Sequence, residues 1–432
     1  MAEGKPKQKV HVITMGCPKN VVDSEKLMAQ LKLSDVVITP HLEEADIAVI
    51  NTCGFIEAAK QESIDMIMQS VRLKARGKLK KVYAMGCLTE RYRVDLQEES
   101  PEVDAFFGSA DFPAVLRELG AEYKHHLLGE RCLTTPGHFA YLKISEGCNN
   151  PCSFCAIPLM RGTHVSVPST QILDEAGRLA GVGVKELVVI GQDTTYYGMD
   201  TDGERKLPDL LRELADIDGI EWVRLMYAYP AKFPEEVLDV IADHPHLCKF
   251  IDMPVQHISD PVLKSMRRGI TRRALQALID RIRSRVPDIA LRTTLIVGYP
   301  TETNKEFDEL AGFVTEANFD RLGVFTYSRE DGTSAYDLGD PVPEKEKERR
   351  KSTIMQIQQS ISERKNQLLI NTTQRSIVDR FENGVYVGRT ERDAPEIDNE
   401  VFIRSSRNLG IGDFVNVDID DATEYDLFGS VK

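Results

Sequence analysis

Three short apolar segments near the start of the chain each run into a cysteine, and this repeated pattern constrains the fold more than any other feature. The segments VITMGC, VINTCG and YAMGC contain Cys17, Cys53 and Cys87. Residues 10–15, 45–51 and 81–85 have the apolar character of strands, and helical patterns lie between them. Strands and helices in alternation predict a parallel α/β sheet in an N-terminal domain of residues 1–131.

The three cysteines follow strands that are each separated by about one βαβ unit. Because parallel neighbours end at the same edge of a sheet, we expect Cys17, Cys53 and Cys87 to lie together at the carboxyl edge, where α/β folds build their sites. A single cysteine is more often a small buried residue. Three at equivalent positions favour a shared function, and we predict an iron–sulfur cluster with one open iron.

A second region repeats the alternation of strand and helix. The predicted strands are residues 141–144, 186–190, 222–227, 250–253, 291–297 and 321–325. Successive βα units of this number favour a full or partial TIM-like barrel, which we assign to residues 132–366. A charged helix at residues 344–369 is the predicted connector out of this barrel.

The last part of the chain has a different pattern. Residues 367–432 contain short alternating runs that are punctuated by Asn383-Gly384 and by glycines at 410 and 412. This pattern is typical of a small antiparallel β-barrel. We therefore predict three domains.

A second set of cysteines follows the first predicted strand of the barrel. Cys148, Cys152 and Cys155 have the spacing C-x3-C-x2-C. Three thiolates are one short of a structural zinc site, which His138 or His164 could complete. As ligands of a 4Fe–4S cluster they leave one iron open, which can chelate the amino and carboxylate groups of a methionine-derived ligand. The segment resembles the radical S-adenosylmethionine (SAM) superfamily, in which such a cluster cleaves SAM to a 5′-deoxyadenosyl radical.

Composition restricts location and partners. The net charge is −14, which disfavours non-specific binding to nucleic acid, although solubility alone also explains it. No apolar run approaches the roughly 18 residues that span a bilayer. Residues 1–9 are polar, and neither the apolar core of a signal peptide nor a cleavage site follows them. We therefore expect a cytoplasmic protein whose eight cysteines are not disulfides.

Several segments resemble the methylthiotransferase family, and specifically its RimO branch. They are residues 15–25 (MGCPKNVVDSE), 139–148 (FAYLKISEGC), 226–230 (MYAYP), 254–269 (PVQHISDPVLKSMRRG), 393–398 (DAPEID) and 425–430 (YDLFGS). The MiaB branch typically has Cys-Gln-Met-Asn where this chain has Cys-Pro-Lys-Asn. Thr301 stands where the family has glycine, and we expect it to cap the following helix.

The resemblance implies a function for each domain. The family joins a three-cysteine domain, a radical SAM barrel and a C-terminal TRAM domain, with two 4Fe–4S clusters and SAM as cofactors. The RimO branch inserts a methylthio group at the β-carbon of an aspartate of ribosomal protein uS12. By this resemblance, the cluster on Cys148, Cys152 and Cys155 generates the radical, and the cluster on Cys17, Cys53 and Cys87 supplies the sulfur. The alternatives are a transfer-RNA methylthiotransferase of the MiaB type and a non-catalytic iron–sulfur or zinc protein that binds RNA.

The barrel should contact SAM through residues at the carboxyl ends of its strands. The candidates are Gln192, Asp193, Gln256 and Glu302, together with Phe154, which we expect to pack beside the cluster or the adenine. We interpret His257 as a hydrogen-bonded structural residue, with SAM binding as the alternative.

The charge of the tail bears on its partner. Residues 367–432 contain 7 Lys and Arg and 13 Asp and Glu, a net charge of −6. This surface suits a basic ribosomal protein better than transfer RNA. We predict that uS12 binds through the TRAM domain, with the run of Asp418, Asp420 and Asp421 facing the partner. The electron donor and the sulfur source stay unidentified.

Overall fold

The computed structural model describes residues 8–34, 36–124 and 129–431. The expectation for the polar segment 1–9 therefore falls almost entirely outside the described residues. The chain forms two compact units. Unit 1 contains the described residues up to 134 together with 141–149 and 155–178, and unit 2 contains the remainder. The predicted domain boundaries after residues 131 and 366 stay predictions.

The strands are β1 Gln8–Thr14, β2 Val36–Ile38, β3 Ile47–Thr52, β4 Lys81–Gly86, β5 Ala105–Phe106, β6 Phe139–Lys143, β7 Ser145–Glu146, β8 Val165–Ser166, β9 Glu186–Ile190, β10 Trp222–Leu225, β11 Leu247–Asp252, β12 Ala290–Val297, β13 Arg321–Thr326, β14 Thr373–Glu382, β15 Val385–Thr390, β16 Val401–Ser405, β17 Phe414–Ala422 and β18 Leu427–Val431. The α-helices are α1 Pro18–Lys32, α2 Glu57–Ala75, α3 Cys87–Glu99, α4 Phe112–Glu118, α5 Ile157–Arg161, α6 Ser169–Gly181, α7 Leu207–Ala215, α8 Glu236–Asp243, α9 Asp260–Ser265, α10 Arg272–Arg285, α11 Asn304–Ala317 and α12 Glu344–Gln367.

Unit 1 contains a parallel sheet in the order β2-β1-β3-β4-β5. Its central strand, β3, is buried along its whole length, as expected for a parallel sheet that is covered on both faces. The prediction of a parallel α/β sheet is confirmed. The sequence pattern missed the edge strands β2 and β5, because two or three residues are too few to establish an alternation.

The larger sheet has the order β13-β12-β11-β10-β9-β6. Strands β9 to β13 belong to unit 2, and β6 is divided between the two units. The six strands form an open sheet, so the partial barrel is the correct form of the prediction. The ends of β9 to β12 direct several loops to the carboxyl edge, where ligands bind in α/β folds.

The C-terminal strands close into a barrel in the order β14-β15-β16-β18-β17. The predicted small β-barrel is confirmed, although β16 and β18 pair in parallel. Buried ion pairs tie this barrel to the large sheet within unit 2. Arg321 donates to Asp393 at 2.7 Å and Arg292 donates to Asp398 at 3.1 Å. Separating the barrel from the sheet would leave these buried charges without partners, and that is costly in free energy.

Two smaller predictions have clear outcomes. The N-cap of α11 is Thr303, whose backbone and side chain form a capping box with Glu306, so the expectation that Thr301 caps this helix is wrong. Thr301 lies two residues too early to reach the first turn. Among the described residues, none of the helices combines the length and the apolar character needed to cross a bilayer.

Candidate active site

The first cysteine set lies at the carboxyl ends of β1, β3 and β4. Cys17 is the N-cap of α1, Cys53 follows β3, and Cys87 is the first residue of α3. Gly16 has a φ of +85°, and a Cβ at this position would lie 2.5 Å from the Cβ of Cys53. Glycine is therefore required for Cys53 to approach the end of β1 this closely.

The thiols of this set share one electrostatic environment. Burial raises the pKa of Cys53, and it raises the pKa of Cys87 to about 12. A charge on Cys17 would raise the pKa of both thiols further. Buried thiols of this kind become thiolates when a metal binds them, so they fit a cluster site better than a nucleophile.

An arginine contacts this set from α5. Arg161 donates from Nε to the Sγ of Cys87 at 3.1 Å and from a terminal nitrogen to Asp23 at 2.6 Å. Arg161 also donates to Glu146 at 3.2 Å, and Lys143 donates to both Asp23 and Glu146. Two cations and two carboxylates therefore form a buried, balanced network beside the sulfur.

The balance of this network is visible in its pKa values. Burial alone would raise the pKa of Asp23, but Lys143 and Arg161 outweigh burial and lower it to about 2. The same two cations lower the pKa of Glu146 against the effect of burial. Asn20 closes the network, because it accepts from Arg161 and donates to the carbonyl oxygens of Met15 at 2.8 Å and Thr52 at 3.1 Å.

The second cysteine set lies in the segment after β7, and the division into compact units passes through it. In unit 1, the backbone N–H of Cys148 donates to the carbonyl of Gly162 at 3.2 Å. Gly147 has a φ of +77°, and a Cβ there would lie 2.0 Å from the carbonyl oxygen of Thr163. Only glycine permits this tight turn before Cys148. Cys155 is half-buried in the same unit.

Cys152, in unit 2, also has an arginine beside its sulfur. Arg268 donates from a terminal nitrogen to the Sγ of Cys152 at 3.2 Å and to the carbonyl of Pro254 at 2.6 Å. The guanidinium lies 4.3 Å from the ring centroid of Tyr229, whose hydroxyl donates to the carbonyl of Arg268 at 2.8 Å. The Tyr229 hydroxyl is 3.7 Å from Cys152 Sγ.

The predicted SAM contacts occupy different environments within unit 2. Asp193 is buried and accepts from Asn150 at 2.7 Å and from the Thr195 hydroxyl at 2.6 Å. Phe154 packs against an apolar cluster that contains Met266 and Tyr299. Gln192 is half-buried one residue before Asp193.

Gln256 and Glu302 lie near the end of β12. Gln256 has a φ of +71°, and its Oε1 is buried with no hydrogen-bond partner among the described residues. A buried amide oxygen of this kind fits a donor from a ligand. Glu302 is fully buried and accepts from Gly298 at 2.9 Å and Arg350 at 2.5 Å, while its other oxygen is 3.0 Å from His257. The fully buried His257 is hydrogen-bonded as a structural residue would be.

A single-ion site is the alternative that the sequence left open. His138 Nε2 is 2.6 Å from Asp379, and His164 Nε2 is 3.2 Å from the Ser166 hydroxyl, so both rings make hydrogen bonds inside the protein. In the described ranges, no three His, Cys, Asp or Glu side chains are arranged to hold one metal ion. A four-iron cluster needs a different arrangement, because each of its thiolates binds a separate iron.

Three family models match the chain. Residues 9–108 match the uncharacterized protein family UPF0004, residues 142–314 match the radical SAM superfamily, and residues 370–431 match the TRAM domain. The ribosomal protein uS12 methylthiotransferase RimO of Cytophaga hutchinsonii is 52% identical over 433 residues, which cover 100% of this chain and 99% of the relative. The chain belongs to the RimO family of methylthiotransferases.

Other relatives agree with this family. Proteins of the same name from Flavobacterium psychrophilum and Chloroherpeton thalassium are 53% and 51% identical and cover 98% of this chain. The chain is a radical SAM methylthiotransferase, and its cofactors are SAM and two 4Fe–4S clusters.

Solved structures agree with the fold of this RimO-family chain. The radical SAM methyltransferase TsrM from Kitasatospora setae has a TM-score of 0.54 at 13% identity and covers 73% of this chain and 72% of its own. The cobalamin-dependent radical enzyme OxsB has a TM-score of 0.52 at 12% identity and covers 81% of this chain and 56% of its own. At these identities the likeness concerns the fold alone.

Sequence reasoning did not identify several residues that contact the thiols. The residues that contact a thiol directly are Asn20, Arg161, Tyr229 and Arg268. Asp23, Lys143 and Glu146 stand behind them, because they form the ionic network that holds Arg161. Most lie within segments that carry the family resemblance, which was a usable signal. What the segments did not indicate is that Arg161 and Arg268 each donate to a cysteine that is distant in sequence.

Proposed function

We propose that this enzyme inserts a methylthio group at the β-carbon of an aspartate of ribosomal protein uS12. The observation that carries the proposal is similarity at about half of all positions along the full chain to proteins named for this substrate. A β-carbon is unactivated, so acid–base chemistry is a poor route, whereas a carbon radical can form a carbon–sulfur bond.

The proposal assigns one cluster to each cysteine set. Cys148, Cys152 and Cys155 hold the cluster that binds and cleaves SAM, and Cys17, Cys53 and Cys87 hold the cluster that delivers sulfur. The N–H···S contacts from Arg268 and Arg161 support these roles, because a donor to a thiolate or cluster sulfur stabilises its negative charge.

The SAM site would use the predicted residues in different ways. Gln256 would donate or accept at the ligand through its buried amide, since its Oε1 has no hydrogen-bond partner in the described part of the protein. Asp193, Gln192 and Phe154 would complete the site. Glu302 would act mainly by supporting the Gly298 turn and His257, because both of its oxygens are engaged by protein groups.

The C-terminal barrel is the proposed surface for uS12. Part of its negative charge is used internally, because Asp393 and Asp398 pair with arginines of the large sheet. In the acidic run, Asp420 pairs with Arg404, and Asp418 accepts from the Thr373 hydroxyl at 2.7 Å. Asp421 is exposed and is the strongest candidate of the run to attract a basic partner. The proposal places the reaction in a reducing cytoplasm, which suits eight free cysteines.

The test is a reaction with defined substrates. Anaerobically reconstituted full-length protein, dithionite and SAM are incubated with uS12 or with unmodified transfer RNA, and mass spectrometry locates any added methylthio group. We expect the mass increase on one aspartate of uS12 and no change in the RNA. Modification of the RNA with unmodified uS12 would overturn the substrate and leave the radical chemistry intact.

A further inference from the structure

A groove of about 770 Å³ opens on the outside of unit 2, between the segment after β10 and the helices α9 and α10. Its walls include Lys232, Lys264, Arg267 and Arg281, and its floor contains apolar side chains such as Leu263. The protein as a whole has a net charge of −14. A groove with four cations is therefore a local exception to the charge of the chain.

Three of these four cations are exposed and lack an ion pair among the described residues. Lys232, Lys264 and Arg267 are exposed, and none of them forms an ion pair within the described ranges. Arg281 is paired, since it donates to Glu235 at 2.9 Å. The other acid of the groove, Asp260, accepts from the backbone N–H of Arg272 at 2.7 Å. Asp260 keeps its negative charge, and the pair of Arg281 and Glu235 is neutral, so the groove has a net charge of +2 and three cations without an ion pair in the described part of the chain.

Two of the three cations occupy costly backbone positions. Lys232 has a φ of +58° and Arg267 has a φ of +55°. Glycine or asparagine adopts this left-handed conformation at lower cost than lysine or arginine. Strain of this kind is kept where a side chain has a task, so these two residues point to function.

Residues that line the groove are sequence neighbours of the two residues that contact Cys152. One wall contains Pro230, which follows Tyr229, and another contains Arg267 and Gly269, which flank Arg268. Tyr229 and Arg268 are the two residues that contact the Sγ of Cys152, at 3.7 and 3.2 Å. Two separate chain segments therefore connect the groove to this sulfur within one residue each.

We propose that this groove docks an acidic one-electron carrier protein that reduces the SAM cluster. The inference rests on the proposed role of Cys152 as a cluster ligand. One electron leaves the reduced carrier, which is oxidised by one electron, and enters the cluster on Cys148, Cys152 and Cys155, which is reduced by one. Radical cleavage of SAM then consumes that electron. No proton or other reactant is required for the transfer.

The charge of the groove selects this occupant over others. The cations attract an acidic surface and increase its rate of encounter. A basic ribosomal protein would be repelled. An RNA track needs a longer line of cations and stacking aromatic residues, whereas this groove is lined by four cations and two carboxylates. Proximity to Cys152 suits a partner that delivers electrons.

The experiment compares two reductants on the same protein. Reconstituted full-length enzyme is given SAM with either dithionite or an acidic flavodoxin reduced to its hydroquinone, and 5′-deoxyadenosine is measured. The variant K232E/K264E/R267E should lose about tenfold or more of the flavodoxin-driven rate and keep the dithionite-driven rate. Its affinity for oxidised flavodoxin, measured by calorimetry, should fall by about tenfold at low salt, and the difference should shrink as salt screens the charges.

Two matched variants exclude trivial causes. K78E/K305E/K345E makes the same charge change at exposed lysines away from the groove and should behave as the parent protein. K232G/R267G removes two cations at positions where glycine relieves the backbone, so it should fold normally and still bind flavodoxin more weakly.

The outcomes separate this inference from the proposed function. Equal losses with both reductants, or unchanged flavodoxin binding in the triple variant, would overturn the docking site. Loss of binding to a short RNA with flavodoxin binding intact would assign the groove to RNA. Absence of dithionite-driven cleavage in the parent protein would instead refute the proposed function itself.

Discussion

The two arginine–sulfur contacts of this protein have almost the same length but different surroundings. Arg161, beside Cys87, is held by the carboxylates of Asp23 and Glu146. Arg268, beside Cys152, is held by two uncharged groups, a carbonyl oxygen and the ring of Tyr229. The comparison teaches that one contact can have two roles. At Cys87 the arginine belongs to a balanced ionic network that supports the structure, while at Cys152 its charge acts more directly on the sulfur.

The largest expected effect separates the two cysteine sets. Changing Cys148, Cys152 and Cys155 together to Ala should abolish the cleavage of SAM, because no open iron then binds it. Iron content should fall from about eight to about four per chain, as expected for the loss of one of two four-iron clusters. Both are measured after anaerobic reconstitution, and eight irons in the variant would contradict the assignment.

The complementary variant should lose only the second half of the reaction. Changing Cys17, Cys53 and Cys87 together to Ala should leave 5′-deoxyadenosine formation within about twofold of the parent, because radical generation uses the other set. The methylthio product should be absent by mass spectrometry. Product from this variant would show that sulfur does not come from this set.

Arg161→Gln tests whether the ionic network beside Cys87 stabilises the fold. The change leaves Asp23 and Glu146 with only Lys143 as a cation, and breaking a buried ionic network costs about 3 kcal/mol or more. Hydrogen exchange of peptides from residues 8–52 should therefore accelerate strongly. Arg268→Gln, which leaves no carboxylate of this network behind, is the control for unit 1 and should leave the same peptides protected.

The pH dependence of stability should follow Asp23. Its pKa of about 2 lies below the ordinary value of 3.8, so the ionised carboxylate stabilises the fold above pH 4, and this contribution is lost as the pH falls towards 2. The shift corresponds to about 2 kcal/mol. Urea unfolding of the apoprotein between pH 5 and 2 measures it, and Asp23→Asn should lack this part of the pH dependence. A parallel decline in both proteins would exclude Asp23 as its source.

The smallest expected effect is on the reduction potentials of the two clusters, and it tests the electrostatic role of Arg268. Arg268→Gln should lower the reduction potential of the SAM cluster by roughly 60 mV, about a tenfold change for one electron, because reduction adds negative charge that the guanidinium stabilises. Arg161→Gln should shift the other cluster less, since the released carboxylates can take up a proton. Redox titration followed by electron paramagnetic resonance measures both. A larger shift for Arg161→Gln would reverse the comparison.

The sequence predicted more of the fold than of the site. Most of the long strands of both sheets were located to within a few residues, because long apolar runs and their spacing are local signals. The four short strands β2, β5, β7 and β8 were missed, because strands of two or three residues depend on pairing with a neighbour. Thr301 lies within a turn that the Glu302 N–H closes to the Tyr299 carbonyl at 2.8 Å, so the chain enters the helix two residues later, at Thr303.

Some residues of the candidate site could be predicted from the sequence and others could not. Cysteine spacing and a family resemblance were enough to single out the six thiols and five possible SAM contacts, and their roles stay predictions. The residues that surround the thiols were not predictable from spacing. Arg161 meets Cys87, and Arg268 meets Cys152, from segments more than seventy and one hundred residues away in sequence.

By itself the sequence determined the order of the long strands and helices and the placement of Cys17, Cys53 and Cys87 after strands, because hydrophobic period and turn chemistry act over a few residues. Only the tertiary structure decided which charges stand beside each sulfur and which cations are left unpaired at the groove. The physical reason is that an ion pair or an N–H···S contact depends on distance in space and on burial, and both are set by packing between segments that the chain itself keeps far apart.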